Sequence, residues 1–295
     1  MKLNPKIGVL GLWHLGSVIS ASWSKLGFDV ICYDYDEEIL NLYRKNKIPV
    51  YEPGLEILIN ESIDKKKITI ASNIKEFFDC DFIFLTYDTP INNQDISNVE
   101  ILINSINDLG RVMKNESCII ISSQSPVGIC DSLRKKLIKI NPSIELAYSP
   151  ENLQLGNAMD GYLEPGRIIL GTHNKKTEKL CKKLFQNICD NIISMNLESA
   201  ELVKHGINSF LAMSIVFIDQ LSDICEENNA DIKSVVNGIK SDDRIGEKAY
   251  LNPGIGFSGG TLGRDLQVLQ SKTNINEYPN ANIFKSVYGQ NKRRK

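Results

Sequence analysis

Lys204 and Asn208 stand four residues apart, which on a helix puts an amine and an amide on one face, within reach of one oxygen. An amine so placed takes an alcohol's proton if burial lowers its pKa, or steadies the alkoxide as hydride departs; the amide fixes orientation. Spacing alone fits a solvated lysine beside a polar asparagine at least as well. Near the amino terminus, Gly11-Leu12-Trp13-His14-Leu15-Gly16 occupies the place of a GxGxxG dinucleotide turn, with Trp13 in the position of the second glycine. The glycines for the tight turn and for helix packing remain. Asp34 lies 18 residues after Gly16 at the end of the next apolar run, where a carboxylate accepts both ribose hydroxyls of NAD and repels the 2'-phosphate of NADP. Gly11, Leu12, Trp13, His14, Leu15 and Asp34 are therefore candidate cofactor residues, although taken alone they fit an ordinary strand end equally well.

The elements that must position these groups follow from periodicity. Short apolar runs at 7–10, 30–33, 68–70, 82–86, 119–122, 145–148, 168–170 and 192–195 alternate with helical segments, among them 98–113 and 175–185. This pattern predicts a Rossmann-like, doubly wound parallel sheet covered by helices. After residue 198 long helices replace it, about 199–226, then 231–239 and finally 282–292, so a second, all-helical domain is expected. The domain boundaries are placed at 1–196 and 197–295. Residues 250–263 hold five glycines and one proline and read as a loop laid against a flat partner, with the active-site loop drawn as 250–265.

Composition narrows the function classes. A net charge of -2 supplies no field for nucleic acid or an anionic membrane, and 42% apolar residues suffice for real cores. A small molecule is the better default partner. Seven cysteines without a CxxC pair read as reduced core residues, and no metal site is expected. No signal sequence or run of membrane-spanning length is evident, so a cytoplasmic protein is expected. The terminal Lys292-Arg293-Arg294-Lys295 reads as a solvated helix end.

Further along, the sequence resembles the UDP-glucose/GDP-mannose dehydrogenase family over nearly its whole length. Pro49-Val50-Tyr51-Glu52-Pro53-Gly54-Leu55 is similar to the family's PIYEPGL element, and Thr89-Pro90 follows the fourth strand. Ser123-Gln124 with Pro126-Val127-Gly128 resembles STVPVG, and Ser149-Pro150-Glu151-Asn152-Leu153 resembles NPEFL. Pro165-Gly166-Arg167-Ile168 resembles PDRI, while Ala200-Glu201 through Ala212 resembles the AExxKxxxNxFLA helix containing Lys204 and Asn208. The resemblance implies an NAD-dependent oxidation of a CH–OH group on a sugar or nucleotide-sugar-like substrate. It adds Thr89, Ser123, Gln124 and Arg264 to the cofactor residues, and Glu151 and Asp265 to the catalytic ones. Tyr250, Asn252, Gly254, Gly259 and Gly260 are assigned to substrate, and a homodimer through the helical domain is expected.

The departures bear on the outcome. Phe257 to Asp265 resembles the family's FGGxCxPKD loop, but Thr261 stands where the nucleophilic cysteine should be, and Arg264 replaces a lysine. A threonine hydroxyl is far less ionised than a thiol, so the thioester route to an acid is closed and one two-electron step to a carbonyl is expected. Leu155 stands where many relatives carry a second glutamate, and too few residues follow 292 for the family's third domain. A small-hydroxyacid dehydrogenase and a non-catalytic nucleotide-binding descendant are the alternatives; joint retention of Lys204, Asn208, Glu151 and Asp265 weighs against the latter.

Overall fold

The computed structural model describes residues 4–89, 98–150, 153–258, 260–272 and 282–294. They fall into two compact units, divided between Glu201 and Leu202. In the first, β1 (Ile7–Leu10), α1 (His14–Lys25), β2 (Val30–Tyr33), α2 (Glu37–Arg44), α3 (Leu55–Asp64) and β3 (Ile68–Ile70) form one half. A 3-10 turn (Ile74–Asp79) leads to β4 (Phe82–Leu85), α4 (Glu100–Val112), β5 (Cys118–Ile121), α5 (Ile129–Ile140) and β6 (Glu145–Tyr148). Then come α6 (Ala158–Leu163), β7 (Ile168–Thr172), α7 (Lys175–Phe185) and β8 (Ile192–Met195). The strands make one sheet in the order β3-β2-β1-β4-β5-β6-β7-β8. β1, β4 and β5 are buried along their whole length, which is why they read as unbroken apolar runs. The order reverses between β1 and β4, the crevice where such sheets take ligands.

The sheet is not wholly parallel, as the alternating pattern had suggested. β7 runs antiparallel to β6, with Ala147 opposite Thr172, and β8 then runs parallel to β7. The connection carries α6, six residues or about 9 Å of helix, which is tied to α1 where Trp23 Nε1 donates to Tyr162 Oη at 3.0 Å.

α8 (Leu197–Glu227) begins in the first unit and continues into the second, which also holds α9 (Ile232–Lys240), α10 (Gly260–Lys272) and α11 (Ile283–Arg294) and no strand among the described residues. Ala212, Val216, Phe257, Leu266 and Val287 form one small core there, and Ile218, Val236 and Leu251 another. The glycine-rich stretch ends as a loop sooner than its composition implied. Residues from Gly260 onward are helical, so the segment expected to be loop as far as 265 includes the first turns of α10. Gly263 lies within that helix facing Tyr288 of α11, where a Cβ would make ordinary contact at 3.4 Å. Against the expectation that no stretch reaches spanning length, α8 is long and apolar enough by length and hydropathy to cross a bilayer. It also carries buried Glu201, His205, Asn208 and Asp219, each bonded to a protein group.

Candidate active site

The turn after β1 is built to bring the chain back on itself. Gly11 adopts φ +101°, and a Cβ on Gly16 would lie 1.7 Å from the Gly11 carbonyl oxygen, so neither position accepts a side chain. Thr86, just past β4, donates from Oγ1 to the Gly11 carbonyl at 2.6 Å and ties the turn to the neighbouring strand. Trp13 caps α1 without any side-chain hydrogen bond, no acidic residue stands in the first turn, and the Trp13 side chain is 48% exposed. The first amides of α1 are thereby left for an anion. Leu12 is buried, and Leu15 packs against the core.

His14 opens α1, and its Nε2 lies 3.1 Å from Glu52 Oε2. Glu52 is buried and accepts from the N–H groups of Ala158 at 2.7 Å and Gly156 at 3.0 Å, which holds the start of α6 against the Gly11 turn. Burial pushes the Glu52 carboxyl up, but those two amides and His14 together hold it below the usual carboxylate range. Asp34 is 4% exposed; its Oδ2 accepts from Leu12 N–H at 2.6 Å and its Oδ1 from Asp36 N–H at 2.9 Å. Burial raises its pKa despite these donors. Thr89 donates from Oγ1 to the Gln124 carbonyl at 2.5 Å, and Ser123 donates to the Leu85 carbonyl at 3.2 Å, so both join the ends of β4 and β5. The tight turn between Gly11 and Gly16, the uncapped amides of α1 and the strand-end carboxylate fit the diphosphate and ribose of NAD.

In the second unit, α8 presents Lys204, His205 and Asn208, all nine-tenths or more buried. Asp265 on α10 gathers two of them: His205 Nδ1 lies 2.8 Å from its Oδ1, and Asn208 Nδ2 donates to its Oδ2 at 2.5 Å. Asn208 and Asp265 are thus brought together, and His205, to which the sequence reading gave no role, joins them. Its signal was present, since His205 and Asn208 are three apart on a helix. Thr261 is exposed in the first turn of α10, one turn before Asp265, and Arg264 sits beside Asp265 in sequence. Tyr250 and Asn252 are exposed. Gly254 is engaged from both sides: its N–H donates to Asp219 Oδ1 at 2.7 Å, and Arg294 Nε donates to its carbonyl at 2.9 Å. Gly260 opens α10, whereas Glu151 and Gly259 lie outside the described residues. Among the described residues no group of three His, Cys, Asp or Glu side chains is placed to hold a metal.

Glu201, quoted above only as part of a motif, is fully buried and accepts from Gly128 N–H at 2.6 Å and Cys130 N–H at 2.9 Å, capping α5. Asn291 of α11 likewise had no signal in the sequence, because what it holds is loop backbone 34 residues away.

Comparison with known proteins agrees along the whole chain. The profile of the UDP-glucose/GDP-mannose dehydrogenase family, NAD binding domain, matches residues 5–189, and that of the same family's central domain matches 198–293. UDP-glucose 6-dehydrogenase of Rickettsia bellii is 32% identical over 292 residues, covering 98% of this chain and 67% of its own. Among solved structures, a UDP-glucose dehydrogenase from Pyrobaculum islandicum superposes with TM-score 0.86 at 22% identity, covering 99% of this chain and 68% of that one. A UDP-D-ManNAc dehydrogenase from Pyrococcus horikoshii gives 0.88 at 20%, covering 98% and 68%. The chain, spanning about two thirds of the length of these relatives, belongs to the UDP-glucose/GDP-mannose dehydrogenase family, with NAD as its cofactor.

Proposed function

We propose that this chain oxidises a CH–OH group of a nucleotide sugar or similar sugar to the carbonyl and stops there. The observation that carries the reading is the first turn of α10: Thr261 stands one turn before an Asp265 that is still bonded to Asn208 and His205. Positioning chemistry is kept where the thiol is replaced. NAD, when bound, supplies the acceptor for the substrate's hydride. The amides at the start of α1 hold its diphosphate, and Asp34 disfavours a 2'-phosphate. Lys204 Nζ takes the hydroxyl proton as the C–H bond breaks, and Asn208 orients the oxygen. The family resemblance assigns proton handling to Glu151 and a cofactor contact to Arg264. Tyr250, Asn252, Gly254, Gly259 and Gly260 are assigned to the sugar by the family resemblance. The Thr261 hydroxyl does not capture the carbonyl at neutral pH, so no covalent adduct leads on to a carboxylate.

The relatives named above supply the substrate class to test, nucleotide sugars with UDP-glucose first. Counting NADH against substrate consumed, with mass spectrometry of the product, should give one NADH and a carbonyl compound. Two NADH and a carboxylate would overturn the single-step reading. The chain is further proposed to act as a homodimer. Phe210, Phe217 and Ile224 recur at seven-residue spacing on α8 and are all more than half exposed, a stripe suited to a second copy.

A further inference from the structure

Asp34 is the carboxylate expected to hold the cofactor's ribose, and a third donor already occupies it. Tyr87, just beyond β4, donates from Oη to Asp34 Oδ1 at 3.0 Å and accepts from Tyr35 N–H at 2.9 Å. With the amides of Leu12 and Asp36, three donors take up a carboxylate that offers about four acceptor sites, leaving about one. A ribose diol brings two O–H donors. The Tyr87 ring also covers the turn itself, since a Cβ on Gly11 would lie 3.0 Å from Tyr87 N and 3.2 Å from its Cδ1. It is held from the other side as well: Tyr35 stacks on it at 5.9 Å and 15°, and Tyr35 Oη donates to Asp108 of α4 at 2.8 Å. Burial favours the neutral phenol in both tyrosines, so both stay donors to their carboxylates.

We propose that Tyr87 stands in for a ribose hydroxyl on Asp34 and must swing away before that carboxylate holds NAD, which makes Tyr87 the residue that sets cofactor affinity in this chain. The proposal rests on the reading of the first unit as the NAD-binding domain. Tyr87 and the ribose compete for the same lone pairs, so the measured affinity is the intrinsic one multiplied by the fraction of molecules with Tyr87 displaced. The ligand exchanges one hydroxyl on Asp34 for another and also separates a stacked ring pair.

Calorimetric titration of NAD and of ADP-ribose into the full chain tests this, with Tyr87→Phe removing the competing hydroxyl and Tyr87→Val removing the ring too. Tyr87→Phe should bind both ligands about 10-fold more tightly, the scale of one hydrogen bond to a charged group, and Tyr87→Val at least as tightly. Nicotinamide mononucleotide, which lacks the adenosine ribose, should bind all three proteins equally. Melting curves of the variants establish that each is folded. Unchanged or weaker binding of NAD by both folded variants would overturn the proposal while leaving the cofactor reading intact. No binding of NAD or ADP-ribose by any of the three would overturn both.

Discussion

Replacing Asn291 tests how firmly the loop ahead of α10 is held. Its amide spends both ends on one loop residue: Phe257 N–H donates to Oδ1 at 2.8 Å, and Nδ2 donates to the Phe257 carbonyl at 3.0 Å. Both residues are buried, so Asn291→Ala leaves one donor and one acceptor unmatched at about 1–3 kcal/mol each. Water from the exposed flank at 253–255 relieves part of this, which sets the expected loss at about 2–4 kcal/mol. The Phe257 amide should then exchange through local opening about 30- to 1,000-fold faster, at tenfold per about 1.4 kcal/mol. Hydrogen exchange read on a peptide spanning the loop is the assay, because both tryptophans, Trp13 and Trp23, lie in the first unit and do not report on the second. Asn291→Asp separates geometry from size. Its carboxylate still accepts from Phe257 N–H but turns a second oxygen toward the carbonyl, so the loop should be as loose as in the alanine variant near neutrality and tighten in acid. Protection at Phe257 within threefold of the unaltered protein in Asn291→Ala would refute the clamp.

Lys204→Met should lower kcat roughly 100-fold or more, whereas Thr261→Ala should cost less than about fivefold, since only an orienting role is assigned to that hydroxyl; steady-state rates with the same substrate compare them. Glu52, held below the usual carboxylate range, contributes stability that is present above the unfolded value of about 4.3 and is lost as pH falls through its lower folded value. Glu52→Gln should therefore flatten the acid limb of a melting-temperature profile below about pH 4.3, and an unchanged limb would count against the His14–Glu52–α6 link. Phe217→Lys, in the middle of the exposed α8 stripe, should convert a dimer to a monomer in sedimentation at micromolar concentration, and a monomeric unaltered protein would remove the argument.

The strands were legible because each is short, apolar and bounded by turn residues, and the run at 30–33 ending on Asp34 placed the second strand and its carboxylate together. What periodicity does not encode is direction. β7 runs back along β6, and neither that reversal nor the bond between Trp23 and Tyr162, 139 residues apart, has a local signal. The glycine count misplaced the end of the loop: Gly254 and Gly256 belong to the loop, whereas Gly260 and Gly263 lie within the helix α10. Asp34 was found from its spacing, but its partner Tyr87 lies 53 residues on, beyond a second strand-and-helix passage. For that reason Asp34→Ala is a poor test of cofactor choice. The aspartate also accepts from Leu12 N–H inside the turn, so its removal disturbs the site it is meant to report on.

Asp265 shows why the loss of a thiol need not dismantle such a site. A carboxylate accepts and does not donate, so the ring nitrogen facing it, His205 Nδ1, must carry hydrogen whether or not the imidazole is charged. The same reasoning fixes Asn208: with Nδ2 committed to Asp265, its carbonyl oxygen and one remaining N–H are left to a ligand, and the amide does not flip without breaking that bond. Two adjacent positions of α8 are thus oriented by one residue of α10, and neither constraint involves the side chain at 261. Threonine at 261 closes the covalent step on the proposed reading, and the bond that orients Asn208 does not depend on it. On the proposed reading, orientation and proton acceptance suffice for the first oxidation, and only the second requires a nucleophile.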